Sequence, residues 1–87
     1  MHRTIELDNS AAVELAGEGD TILRALEDRS DCSIRMRGNV ITLEGNEQAV
    51  QGAVAVIGEL AGLVERGHRL ETATVAAVAG ALAVEAD

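Results

Sequence analysis

Apolar and polar residues alternate from Arg3 to Leu7, with Ile5 and Leu7 on one face and Thr4 and Glu6 on the other. That is the period of a half-buried strand. Asp8-Asn9-Ser10 offers three N-cap residues ahead of a short helix over Ala11–Ala16. Gly17-Glu18-Gly19-Asp20 breaks this helix. Asp20 stands where it would cap a second one, from Thr21 to about Arg29, with Ile22, Leu23 and Leu26 on a stripe. Alternation returns over Cys32–Arg37, followed by Gly38-Asn39, a two-residue loop suited to a hairpin. The returning strand, Val40–Glu44, carries Ile41 and Leu43 on its apolar face. Asn46 caps a long helix to about Arg66, in which Val50, Ala53, Val54, Ile57, Leu60, Ala61 and Val64 recur at helical spacing. Gly67 falls where a helix C-terminal glycine belongs. A last helix, from Glu71 or Thr72 to about Val84, repeats Val75, Val78, Ala79 and Leu82, with Gly80 inside it at a cost of about 1 kcal/mol relative to Ala.

Three one-faced strands and four helices in this order predict an α+β, two-layer domain. Its antiparallel three-stranded sheet carries helices on one face and is open on the other. At 87 residues the chain is a single domain, 1–87, with the last helix, about 71–85, doubling as a candidate linker. There is no Phe, Tyr or Trp, so the core must come from aliphatic side chains. Leu, Ile and Val number 23, enough to lift the chain out of the disordered range. A domain this small buries only about 60% of the surface its unfolded chain exposes, so a partner surface would add much to its stability.

Charge narrows the functions further. Fifteen acidic residues against seven basic ones give a net charge of −8, and all seven basic residues are Arg. A field of this sign repels nucleic acid and anionic membrane, so any such contact must rest on a local arginine cluster. One cysteine, Cys32, forms no internal disulfide, and His2 and His68 lie too far apart in sequence to make a metal-ligand set. No apolar run approaches a membrane span, and the charged start is not a signal peptide. Together these features suggest a reducing, cytoplasmic setting.

The strand, two short helices around a glycine turn, hairpin and long helix make up the layout of a KH module. Leu15–Asp20, Ile22–Glu27 and Ser33–Gly45 resemble its middle section. Leu7-Asp8-Asn9, the Leu15–Asp20 turn, Arg37-Gly38-Asn39, Glu44-Gly45-Asn46-Glu47 and Glu65-Arg66-Gly67-His68-Arg69-Leu70 together resemble the N-terminal domain of PhoH-like proteins. The resemblance implies a KH-like β-α-α-β-β-α fold plus a C-terminal helix, in a cytoplasmic protein that joins it to a P-loop ATPase domain linked to phosphate starvation and RNA metabolism. The chain contains no G-x-x-x-x-G-K-[ST] loop and no Lys with which to build one. Its expected role is therefore that of an excised, non-catalytic interaction domain ending arbitrarily at Ala86-Asp87. No cofactor is expected in this chain, with ATP and Mg reserved for the ATPase domain.

Several residues are candidates for contact. In RNA-binding KH domains a G-x-x-G loop lets the backbone approach phosphates. Gly17 and Gly19 occupy the corresponding turn, but Glu18 and Asp20 oppose phosphate there, and the plain reading is a helix–helix turn capped by Asp20. Arg35 and Arg37, with Arg24 and Arg29 on the preceding helix, form a basic strip suited to phosphates or bases, with Arg24, Arg35 and Arg37 the candidates for RNA, or else a solvated face paired with Glu6, Asp28, Asp31 or Glu44. Arg66, His68 and Arg69 form a dense basic cluster able to meet the ATPase domain, another subunit or RNA, or else a capped helix end. His68 has no orienting carboxylate and nucleophile with which to act as a catalytic base. Cys32 reads as a buried, inert thiol, and the pair Glu27-Asp28 as surface charge. Ala73, Ala76, Ala77, Ala79, Ala81 and Ala83 make the last helix smooth, fit to pack within the domain or to form a homo-oligomer. The expected partners are the ATPase domain and a second protomer, with RNA disfavoured by the net charge and membrane excluded.

Overall fold

The structure, a computed structural model, describes residues 1–86, with side chains to residue 82. Strand β1 (His2–Glu6) leads to helix α1 (Asn9–Ala16), a turn (Glu18–Asp20) with left-handed backbone at Gly19 and Asp20, and helix α2 (Thr21–Arg29). The hairpin β2 (Cys32–Arg37) and β3 (Val40–Gly45) follows, then α3 (Glu47–Glu65) and α4 (Thr72–Ala86). The expected α+β order and element bounds are met within a residue or two. Ala83 and the chain end at Ala86-Asp87 lie outside the described side chains.

The sheet is antiparallel throughout, in the order β1-β3-β2. Its centre is β3, whose Ile41 and Leu43 are fully buried beneath the helices. The register sets Ile5 and Met36 on either side of Ile41, and Ile34 beside Leu43, which makes one apolar face. On the opposite, open face Thr4, Thr42 and Arg35 form one row, and Glu6, Val40 and Arg37 the next. Leu15, Leu26, Val50, Ile57, Leu60 and Val75 complete a wholly aliphatic core.

Two turns show why the chain bends where it does. At the end of α3 the His68 N–H donates to the Leu63 carbonyl (2.9 Å) and the Gly67 N–H to that of Val64 (2.9 Å), a Schellman motif closed by Gly67 at φ +87. The hairpin has positive φ at Gly38 and not at Asn39, the pattern of a type II′ turn. Asn39 then does more than turn the chain. Its Nδ2 donates to the Leu7 carbonyl (2.9 Å) while the Leu7 N–H donates to the Asn39 carbonyl (2.8 Å), tying the end of β1 to the hairpin.

Some expectations are corrected. Asn46 caps α3 as read, its Oδ1 accepting from the Ala49 N–H at 2.8 Å, but Asp20 makes no side-chain cap bond. Asp20 instead adopts the left-handed backbone (φ 60), not the extended backbone a side-chain cap takes. The buried arc of α3 includes Val56 and leaves Val54 half-exposed. It is wider than one stripe because α3 packs on α1, α4 and the sheet. Helix α4 packs against α2 and α3 of its own chain, with Val75 fully buried and Val78, Ala79 and Leu82 half-buried.

Candidate functional site

An open groove of about 730 Å³ runs along the β2 edge of the sheet beside α2. Strand alternation turns Arg35 and Arg37 out of the apolar face, while the exposed side of α2 supplies Arg24. All three guanidinium side chains line the groove, so the fold brings together residues that stand up to thirteen positions apart. Its floor is apolar, made by Leu23, Ile34 and Met36. Asp20, Glu27 and Glu44 also border it, so the local charge is mixed rather than basic.

The arginines are not paired as a solvated face would have them. Among the described residues the one ion pair within 4 Å joins His2 and Glu44 at 3.8 Å, both largely exposed. The expected pairs to Glu6, Asp28, Asp31 or Glu44 do not form. The strand register explains part of this: Arg35 faces Thr42 and Arg37 faces Val40, which leaves no carboxylate directly opposite either one.

Glu27 is the residue that sequence reasoning missed. It is an exposed charge, as expected, but its Oε2 also accepts from the Ile34 N–H at 2.9 Å, across the gap between α2 and β2. Since β2 pairs only with β3, this carboxylate caps a backbone donor on the sheet's free edge. Nothing in the spacing signals it. An acceptor reaching a strand from a neighbouring helix has no period.

The remaining candidates stand elsewhere. Gly17 (φ +64) closes the α1 turn, and a Cβ there would lie 2.9 Å from the Ile22 Cγ1, so this glycine answers to packing. Gly19 (φ +62) lies in the open. Between them and α2, the Thr21 hydroxyl donates to the Glu18 carbonyl. Arg66, His68 and Arg69 sit at the α3 C-terminus and line no part of the groove. There the Leu70 N–H donates to Glu14 Oε1 (3.4 Å), fastening the α3–α4 connection to α1.

Among the described residues no group of three His, Cys, Asp or Glu side chains is placed to hold a metal ion. Burial, and then the charges of Glu27 and Asp31, push the Cys32 thiol above its ordinary value, so it stays protonated and a poor nucleophile near neutrality. No helix of the described residues is long and apolar enough to cross a membrane.

No family model matches the chain. No solved structure matches it. Among characterised proteins it is similar to a PhoH-like protein of Mycobacterium leprae (strain TN), 35% identical over 70 residues. PhoH-like proteins of Mycobacterium bovis and Mycobacterium tuberculosis (strain H37Rv) are each 36% identical over 70 residues. The match covers 80% of this chain but 20% of each relative. The chain thus spans about a fifth of the length of the PhoH-like proteins it is similar to.

Proposed function

We propose that this chain is a non-catalytic, KH-like interaction module of a PhoH-like ATP-binding protein, and that it contacts its partner through the groove between α2 and β2. The observation that carries the reading is the convergence of Arg24, Arg35 and Arg37 on one open groove with no ion-pair partner among the described residues. Guanidinium groups with no ion pair within 4 Å, beside an apolar floor, are suited to a ligand that brings both chemistries. The element order and the sheet order β1-β3-β2 support the KH-like layout. With no Lys in the chain, nucleotide chemistry belongs to the P-loop of the parent's ATPase domain, and its setting is the cytoplasm.

Protein contact is favoured over RNA. Single-stranded RNA is commonly gripped by aromatic stacking, and this chain has no aromatic side chain. Its net charge of −8 adds a repulsion that phosphates would have to overcome. The three gathered arginines favour single-stranded RNA binding as the second reading. Titration with labelled oligouridine at low salt separates the two. No saturable binding is expected, and no phosphate release from ATP and Mg. Salt-sensitive RNA binding abolished by Arg35→Ala would replace protein contact with the second reading.

A further inference from the structure

The free edge of β2 already shows what kind of group it accepts. In an antiparallel ladder, alternate residues present both their N–H and C=O to the same side. The Ile34 N–H points away from β3, because it donates to Glu27. Cys32, Ile34 and Met36 therefore share the outward edge, and Arg35 and Arg37 belong to the paired side. One oxygen acceptor is thus seated on the middle donor of an otherwise unpaired strand edge, inside the groove.

We propose that β2 receives an extended peptide strand of a partner protein, one that alternates acidic with apolar residues. The inference rests on the reading of this groove as the contact surface. Pairing on the β2 edge sets every second side chain of the incoming strand on the open face, beside Arg35 and Arg37, where acidic groups find unpaired guanidinium partners. The intervening side chains turn toward Leu23 and Met36, where apolar groups are buried. A backbone carbonyl of the incoming strand replaces the Glu27 carboxylate on the Ile34 N–H, so Glu27 acts as a latch that covers the edge until the strand arrives.

A second copy of this chain fits the edge poorly. Antiparallel β2–β2 pairing centred on Arg35 or Met36 sets arginine against arginine, a repulsion of the kind that protects exposed edges, and pairing centred on Ile34 must displace Glu27 in both copies at once. Single-stranded RNA fits poorly too, because the chain has no aromatic side chain on which its bases could stack.

The test is fluorescence anisotropy with a short labelled peptide alternating glutamate and valine. Its controls are a lysine–valine counterpart, a glutamate–valine peptide N-methylated at alternate amides, and oligouridine. The glutamate–valine peptide is expected to bind, and the lysine and N-methylated peptides are not. Arg35→Ala with Arg37→Ala is expected to weaken binding about tenfold, as loss of a charge-assisted contact does. Glu27→Ala is expected to tighten it by a similar factor, since the Ile34 donor is freed. Glu27→Gln, which keeps the shape and an acceptor, is expected to tighten it less. A merely structural Glu27 would lower the urea midpoint without raising affinity, and that result overturns the latch. Equal binding of the N-methylated peptide overturns strand pairing. Binding of oligouridine alone overturns this inference while leaving the groove as the contact surface. Binding of none of the probes overturns strand pairing, and perturbation mapping with the parent's ATPase domain then decides separately whether the groove is a contact surface.

Discussion

Gly45 shows how closely single residues fit in so small a core. A Cβ at this position would lie 2.6 Å from the Cys32 Cβ and 3.2 Å from the Asp31 carbonyl oxygen, where β2 and β3 come together. Gly45→Ala is expected to destabilise the fold by about 1–3 kcal/mol, read as a lowered urea midpoint. Cys32 gives a second expectation. Its thiol is raised from an ordinary value of 9.0 by burial and by the charges of Glu27 and Asp31. The folded state thus holds this proton to higher pH than the unfolded state does. The stability it contributes is complete below the unfolded value and lost as pH climbs through the folded one. With no Lys or Tyr in the chain, Cys32 is the one side chain that titrates in that window. The urea midpoint is expected to fall above about pH 9, and Cys32→Ala to flatten that limb. Native-state alkylation by iodoacetamide at mildly alkaline pH is expected to be slower than that of the unfolded chain.

At the scale of elements, periodicity carried the strands and helices. Each buries one face, and burial of one face is what periodicity records. Cys32–Arg37 and Val40–Gly45 alternate because helices cover one side of the sheet only. What lies between elements was not legible. The order β1-β3-β2, the Glu27–Ile34 bond and the tie from Asn39 to Leu7 join positions far apart in sequence through polar groups that repeat with no period. The arginines were legible as a strip, but the structure sets Arg29 apart, beside Thr72 and Ala76, and the lack of an ion pair within 4 Å at Arg35 and Arg37 depends on cross-strand register, which alternation alone does not set. Helix α4 is the instructive case. Its alanine-rich surface allowed either self-association or packing at home, and Val75, fully buried on a helix that packs against α2 and α3, shows that its first turns pack at home. Val75→Ala is expected to lower stability by about 1–3 kcal/mol, checked by urea unfolding, and to leave peptide binding at the β2 edge unchanged.

For the whole molecule, the net charge of −8 and the mixed groove act at different ranges. The net field weakens within a Debye length, about 8 Å at physiological salt, whereas the backbone hydrogen bonds of strand pairing do not rest on it. Salt should therefore relieve general repulsion while leaving strand pairing in place. Unfolding by urea is expected to shift to higher midpoints as sodium chloride is raised from low to physiological concentration, because self-repulsion falls.

The central claim is that partner contact is made at the edge formed by β2 and α2. Amide chemical-shift mapping with the glutamate–valine peptide tests it most directly. The expected result is perturbation centred on Ile34, Arg35, Met36 and Arg37, extending to Arg24 and Glu27 and sparing the Arg66–Arg69 turn. Perturbation centred on that turn or on α4, with the β2 amides unmoved, would contradict it.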